Sequence, residues 1–368
     1  MISAGETSGE LYGAMLSREL KKLWPDVQIF GIGGSRMKAE GVTLIAPISH
    51  VLGLVEAIKH IWGARNTLKK AGSLLINQKP DILVVIDYPD FNIALAKKAK
   101  AAGIPILYYV SPQVWAWRSG RVNKIASLVD KMAVLFPFEV DYYSKIGLPC
   151  EFVGHPIAET VDIKESKEEL KIKLGLDPER KVVSLLPGSR PNELHKHQFI
   201  IMEVAAKINK IFPEMQIVMP LASITDFPAT LPDYINVVHG QTTEALSCSE
   251  VAAVASGTAT LETALIGIPM VVFYKISPVT FYLAKLLTKV RFVSLVNILS
   301  GKEVVRELLQ SKANGDTIFL EIKKILNDGV YRNHMIVDLI KIRELMYGKK
   351  PSARVAYMVG EIAGWSNA

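Results

Sequence analysis

The chain has 368 residues, 49% hydrophobic and 21% charged, with a net charge of +7 and two cysteines. At roughly 100–200 residues per domain this length predicts two domains with cores of their own, and the apolar content excludes a disordered chain. Cys150 and Cys248 are too few for a disulfide scaffold or a cysteine-rich metal site, and the basic balance favours anionic partners such as nucleotides, phosphorylated substrates or an acidic membrane face. The mean hydropathy of +0.24 is high for a freely soluble enzyme. No basic segment precedes an apolar stretch and an Ala-x-Ala site, so a signal peptide is not expected and the protein is expected in the cytoplasm.

Short apolar runs alternate with amphipathic segments, the pattern of βαβ units and parallel sheets. A small-residue motif, Ser3-Ala4-Gly5-Glu6-Thr7-Ser8-Gly9-Glu10, opens a helix over 10–23. Its acids speak against a bare phosphate cradle and for hydroxyl recognition on a sugar, with helix capping by Ser8 as the plainer reading. A strand over 28–32 runs into Gly31-Ile32-Gly33-Gly34, half of a dinucleotide fingerprint. The third glycine is missing, and the acid expected about 20 residues on would have to be Glu56, which lies at no obvious strand end, so a tight strand-to-helix turn is expected. Residues 51–62 are apolar, with Val51, Leu52, Leu54, Val55, Ile58, Ile61 and Trp62, and Arg65, Lys69 and Lys70 follow. Such a segment suits insertion into an anionic interface or packing as a core-facing helix.

Helices over 64–77, 91–102 and 122–128 alternate with strands over 82–87, 105–109, 131–135 and 152–153. A Glu/Lys-rich stretch over 163–180 lacks the apolar density of its flanks and sets a domain boundary near 160. Strands over 181–186, 216–219, 236–238, 251–255 and 270–274 follow, then helices over 331–346 and 353–362. The most apolar stretch, 251–274, is long enough to span a membrane, but it contains Glu262, Gly257, Gly267 and Pro269 and divides into strand, loop, helix and strand. The expected architecture is α/β, with Rossmann-like halves over 1–160 and 161–340 and a helical tail over 341–368. Ligands are expected at the carboxyl ends of strands facing a cleft between the halves.

Several strand exits carry chemistry. Asp87, in Ile86-Asp87-Tyr88-Pro89-Asp90-Phe91-Asn92, ends an apolar run where a general base is tuned by one-sided desolvation, while Asp90 is placed to cap the next helix; the plainer reading is that both aspartates are structural. Val110-Ser111-Pro112-Gln113-Val114-Trp115-Ala116-Trp117-Arg118 offers Gln113 and Trp115 for sugar stacking or acyl-chain contact, or forms a packed loop. Leu186-Pro187-Gly188-Ser189-Arg190 makes a metal-free anion site without a Walker lysine. In Ala255-Ser256-Gly257-Thr258-Ala259-Thr260-Leu261-Glu262, the turn residues Ser256, Gly257, Thr258 and Ala259 aim donors at phosphate, and Glu262 is placed to accept both hydroxyls of a ribose. With Arg190 this predicts a nucleotide-diphosphate pocket. His195 and His197 have no metal-ligand spacing and read as an exposed polar turn; no metal centre and no cofactor are expected.

These motifs, together with Phe136-Pro137-Phe138-Glu139 and Val153-Gly154-His155-Pro156, closely resemble the lipid-A-disaccharide synthases of Gram-negative bacteria, from the first residues to about Gln310. The resemblance implies an inverting, metal-independent glycosyltransferase of the GT-B kind. It would join UDP-2,3-diacylglucosamine to 2,3-diacylglucosamine 1-phosphate, giving UDP and the β-1,6-linked disaccharide 1-phosphate of lipid A (lipopolysaccharide) biosynthesis. It makes Asp87 the base for the acceptor hydroxyl, Arg190 a contact of the donor diphosphate, Ser256 to Ala259 the diphosphate loop, Glu262 the ribose acid and Asn297 a donor-site residue. The motif readings above add Glu6, Ser8, Gln113 and Trp115 to the candidate substrate contacts, and the resemblance makes 51–62 a peripheral contact with inner-membrane phospholipid. A homodimer is compatible with it.

Three departures stand out. The stretch before Gly5-Glu6 is shorter than the family's usual first strand. Val296 replaces a common proline and is expected to loosen the turn presenting Asn297. Glu10 replaces the commoner aspartate. The main alternative is a UDP-sugar epimerase-like enzyme on the same fold, against which the 51–62 segment and the tryptophan loop speak. A non-enzymatic peripheral-membrane or nucleic-acid-binding module is disfavoured because the basic residues are scattered rather than banked in one stripe.

Overall fold

The computed structural model describes residues 1–5, 7–47, 54–112, 122–221, 227, 230–277, 281 and 291–366, without the side chains of 7 and 54–62. The chain divides into two compact units, Met1–Pro156 with Gly348–Ala368, and Ile157–Tyr347.

The first unit runs β1 (Ile2–Ala4), α1 (Thr7–Leu23), β2 (Phe30–Gly33), α2 (Ser35–Ala39), β3 (Thr43–Pro47), α3 (Leu54–Gln78), β4 (Leu83–Ile86), α4 (Pro89–Ala101), β5 (Ile106–Tyr109), α5 (Val122–Ala126), β6 (Lys131–Val134), α6 (Pro137–Ser144) and β7 (Cys150–Phe152). The strands form one parallel sheet in the order β3-β2-β1-β4-β5-β6-β7. β4 and β5 are buried throughout, as continuous apolar strands between two helical layers must be. Leu83, Val85, Leu95, Ile106, Tyr108 and Met132 belong to their core. Gly31 is fixed by packing: a Cβ there would overlap the Ile2 carbonyl across the β1–β2 ladder.

The second unit runs α7 (Lys167–Lys173), β8 (Val182–Leu186), α8 (Pro191–Ile211), β9 (Gln216–Leu221), β10 (Ile235–His239), α9 (Thr242–Ser247), β11 (Val251–Ala255), α10 (Thr258–Ile266), β12 (Met270–Tyr274), α11 (Leu295–Ser300), β13 (Arg306–Leu309), α12 (Gly315–Asn327) and α13 (Gly329–Met346). Its parallel sheet has the order β10-β9-β8-β11-β12-β13. The apolar 251–274 stretch folds as β11, α10 and β12, buried rather than membrane-spanning. Among the described residues no helix is long and apolar enough to cross a membrane.

The polar stretch at 163–180 is not a bare linker. α7 lies in it, with Ser166 and Glu169 forming a reciprocal capping box and Leu170 buried. After α13 the chain returns to the first unit as α14 (Pro351–Ala363), which packs on α1 with Gly360 against the Trp24 ring.

Each sheet reverses its strand order once, between β1 and β4 in the first and between β8 and β11 in the second. Such switch points leave a crevice at the carboxyl ends of the two strands, because the chain departs in opposite directions from them.

Candidate functional sites at the two switch points

In the first unit, β1 ends at Ala4 and runs into Gly5, and β4 ends at Ile86 and runs into Asp87. The registers place Ala4 beside Ile86, so these exits are neighbours. Asp87 and Tyr88 both adopt left-handed backbone with φ of +47°. For non-glycine residues this conformation is strained and persists only where surroundings over-determine it. The surroundings are on hand. The Asp87 carbonyl accepts from Asn92 Nδ2 at 2.7 Å and from Tyr108 Oη at 2.9 Å. Asn92 Oδ1 in turn accepts from Ser3 Oγ at 2.7 Å, which ties the turn back to β1. Tyr88 stacks on Phe91 at 5.6 Å, and Gly5 leaves no room for a Cβ beneath the Tyr88 ring. The half-buried Asp87 side chain thus projects from a turn whose backbone is fixed on several sides. Asp90 lies in the first turn of α4, behind Pro89.

Ser8 lies within the first turn of α1, which already begins at Thr7. Glu10 reaches away from that turn, and its Oε1 accepts from the Arg36 amide at 2.8 Å, at the start of α2. That carboxylate occupies the helix N-terminus where a dinucleotide fingerprint would seat its pyrophosphate. The Gly31–Gly34 segment is accordingly a strand-to-helix turn closed by the protein's own anion.

At the exit of β5, Val110 is also left-handed, with φ of +65°. Ser111 Oγ donates to Glu139 Oε1, while Glu139 Oε2 accepts from the Leu135 and Phe136 amides at 3.1 and 3.0 Å. The buried Glu139 thereby joins the β5 exit to the start of α6. His155 is buried beside Tyr12 and Phe136, and burial pushes its imidazole down to about 3, so it is neutral. Glu6, Gln113 and Trp115 lie outside the described residues, as do Val51 and Leu52 and the side chains of Leu54, Val55, Ile58, Ile61 and Trp62.

In the second unit, β8 leads into the Pro187–Arg190 turn. Gly188 takes φ of +113°, and Glu193 Oε2 accepts from the Ser189 and Arg190 amides at 3.2 and 3.3 Å. Glu193 Oε1 accepts from Tyr274 Oη at 3.1 Å and lies 3.6 Å from the exposed Arg190 guanidinium. The Tyr274 phenol is pushed up to about 12, chiefly by burial and then by that carboxylate.

β11, the neighbour of β8, leads into Ser256 and Gly257. Ser256 N donates to Phe273 O at 3.0 Å, fixing the turn to β12. A Cβ on Gly257 would meet no atom of the described residues within 4 Å, so this face of the turn is open. Thr258 and Ala259 are half-buried in the first turn of α10. Glu262, one turn further, is buried, and burial raises its carboxyl above the ordinary value. Thr243 Oγ, from α9, donates to Glu262 Oε1 at 2.6 Å and pulls in the opposite direction.

Asn297 has another occupation than the expected contact with a donor. Its Nδ2 donates to Val305 O and Glu307 Oε1 at 2.8 and 2.9 Å, and its Oδ1 accepts from the Val304 and Val305 amides at 2.8 and 3.0 Å. The carboxamide is fully buried and its hydrogen-bonding capacity is used. Glu307 also takes the Val293 and Ser294 amides at 2.9 Å each, so the turn before α11 is held despite Val296 standing where a proline was expected. Ser256 Oγ reaches Val293 O at 3.4 Å, which connects this frame to the β11 turn.

His197 differs from the exposed polar turn expected of it. It sits inside α8, is wholly buried, and uses both ring nitrogens; only His195 is exposed. Glu193, Thr243, His197 and Glu307 carry no local signature of a site, because each acts on a turn or side chain contributed by another element or, for Glu193, through a helix-start position that resembles ordinary capping.

The family model for lipid-A-disaccharide synthetase matches residues 1–353. The lipid-A-disaccharide synthase of Geobacter metallireducens is 44% identical, over 99% of this chain and 97% of that protein. The structure of the kitacinnamycin glycosyltransferase superposes with a TM-score of 0.65 at 15% identity, covering 98% of each chain. The UDP-GlcNAc 2-epimerase of Neisseria meningitidis, bound to UDP-GlcNAc, superposes with a TM-score of 0.65 at 12% identity, covering 98% of this chain and 99% of that one. At such identities the two structures speak for the fold alone, a GT-B type with two parallel sheets, whereas the sequence match extends through every motif above. The chain belongs to the lipid-A-disaccharide synthase family of glycosyltransferases.

Proposed function

We propose that this chain transfers 2,3-diacylglucosamine from its UDP derivative to the 6-hydroxyl of 2,3-diacylglucosamine 1-phosphate. The carboxylate of Asp87 takes the proton of that hydroxyl as its oxygen attacks the anomeric carbon from the face opposite UDP. The bond from the anomeric carbon to the diphosphate oxygen breaks, UDP leaves with the electron pair, and the new linkage is β-1,6. The charge developing on UDP is met by Arg190 and by the amides of the Ser256–Ala259 turn, donors set in place before the reaction. Glu262 accepts from the ribose hydroxyls, and Asn297 and Glu307 act by positioning the turn beside Ser256.

The observation that carries this reading is the pairing at the second switch point. Two adjacent strand exits there bring an arginine, an open glycine turn at a helix start and a buried carboxylate to one edge of one sheet. That set suits a nucleoside diphosphate: cation and amides for the phosphates, an anion for the sugar hydroxyls. The acyl chains of the substrates give a reason for the apolar 51–62 segment and its following cations, as a contact with the phospholipid of the inner membrane.

The test is UDP release from UDP-2,3-diacylglucosamine in detergent micelles containing EDTA, with and without 2,3-diacylglucosamine 1-phosphate. Release is expected only with the acceptor, undiminished by EDTA, and to fall by about 10²-fold or more in Asp87→Asn with UDP affinity retained. Acceptor-independent turnover of the UDP-sugar would favour an epimerase-like activity instead.

A further inference from the structure

We infer that His197 is a positioning residue for the donor site: it clasps the turn after β8, which carries Arg190, to the segment after β12, across the exit of β11 that lies between them. The inference rests on the reading of the Pro187–Arg190 turn as part of the donor diphosphate site.

His197 projects from α8 and is completely buried. Its Nδ1 lies 2.7 Å from the Pro187 carbonyl, and its Nε2 lies 3.1 Å from the Lys275 amide. A carbonyl can only accept and a backbone amide can only donate. The two partners therefore fix one tautomer, with the proton on Nδ1 and the lone pair on Nε2. The ring is also gripped edgewise by Phe273 at 5.1 Å and Tyr274 at 5.7 Å. It has no freedom to turn without giving up both hydrogen bonds and both ring contacts.

The positions of those partners give the clasp its meaning. Pro187 is the first residue past β8, and Lys275 is the first past β12. β8 and β12 flank β11 on its two sides. The imidazole thus spans the strand whose exit holds Ser256 and Gly257. A second tie runs in parallel, from Tyr274 Oη through the Glu193 carboxylate to the Ser189 and Arg190 amides. Between the two ties lies Gly188, whose left-handed backbone is compatible with many neighbouring conformations, so the turn has little stiffness of its own. His197 supplies what the glycine removes, a fixed distance between the Arg190 turn and the rest of the sheet edge. An anion site made of preset donors loses affinity when they must be ordered at each binding event.

The experiment compares full-length wild type, His197→Leu, His197→Asn and Arg190→Ala. Leucine keeps most of the ring's bulk and removes both hydrogen bonds. Asparagine retains a donor at the position of Nδ1 for the Pro187 carbonyl. UDP affinity is read by calorimetry, the KM of each substrate by initial rates, and folding by circular dichroism melting. His197→Leu is expected to bind UDP about tenfold more weakly and to raise the donor KM similarly, with the acceptor KM unchanged. His197→Asn is expected to recover most of that loss. A folded His197→Leu with wild-type UDP affinity overturns the inference. So does an asparagine variant as weak as the leucine one, since the carbonyl bond would then not be what matters. If His197→Leu does not fold, the asparagine variant decides: wild-type-like UDP binding with the donor KM held supports the clasp, and equal losses in both substrates' KM values overturn it. Arg190→Ala is the separate control. Unchanged UDP affinity there overturns the donor reading of the turn itself, whereas a large loss there with none in His197→Leu defeats only the clasp.

Discussion

Thr243 shows how much of a site depends on a single hydroxyl. It donates to Glu262 Oε1, the carboxylate proposed for the ribose hydroxyls. Burial raises the Glu262 carboxyl and the Thr243 bond lowers it. If Glu262 holds the ribose as proposed, only its ionised form accepts from two hydroxyls, so donor affinity is expected to be complete above the Glu262 pKa and to fall as the pH drops through it. Thr243→Val removes the lowering contribution and must move this acid limb to higher pH. It should also weaken UDP binding about tenfold, the cost of a bond to a buried charge. Calorimetric UDP titrations from the ordinary carboxylate range up to neutral pH check both, and a limb that stays put would mean that another group is titrating. Glu262 is legible in the sequence because it falls one helical turn after Thr258 on a helix announced by Ser-Gly-Thr. Thr243 is not, because its partner comes from another helix and no local period relates the two. The same holds for His197, whose burial follows from the packing of α8 against the end of β12 and not from its neighbours in sequence.

Among elements, the exits of β1 and β4 show what the small residues of the first motif are for. A Cβ on Gly5 would enter the ring of Tyr88, the residue next to Asp87 in the same left-handed turn. Gly5→Ala should therefore displace Asp87 while leaving the second unit alone. The expected outcome is a fall in kcat of tenfold or more, since misplacement by about 1 Å can cost about 10²-fold, with the UDP dissociation constant unchanged. Steady-state rates alongside UDP calorimetry would decide it, and an equal loss in UDP binding would contradict the assignment of separate roles to the two switch points. The central strands are legible because they are continuous apolar runs: β11 and β12 fall at the expected residues, and β4 and β8 within a residue. The edge strands β3 and β13 are not, because Thr43–Pro47 is only partly buried and Arg306–Leu309 begins with two charged residues. An edge strand is satisfied on one side only and tolerates such residues. α12 differs again. Ile318, Phe319, Ile322 and Ile325 keep the helical period behind an Asn314 cap, so its signal is present in the chain although the expected elements omit it.

At the scale of the molecule, the chain leaves its first unit at Pro156 and re-enters it at Gly348. The first unit is therefore closed by residues that follow the whole of the second unit in sequence. α14 buries Val355, Met358 and Val359 completely, and Gly360 meets the Trp24 ring of α1 where no side chain would fit. At roughly 1.5–3 kcal/mol for each buried side chain, the three contribute about 5 kcal/mol or more. Arg354 pairs with Glu151 on β7, its Nη2 at 2.8 Å, and with Glu361 at 2.8 Å. Those groups are about a third exposed or more, so the pairs contribute no more than about 1 kcal/mol. Packing thus outweighs charge in docking this helix. Since a domain is stable by only about 5–15 kcal/mol, deletion of 348–368 should bring the first unit close to unfolding, while Arg354→Ala should cost about 1 kcal/mol. The second unit keeps its whole core in either case, so UDP should still bind to it and shift its unfolding. Urea denaturation followed with and without UDP separates these outcomes. A deletion variant with an unchanged first transition would show that the helix is not part of the first unit's fold, and a loss in Arg354→Ala as large as in the deletion would reverse the ranking of packing over charge.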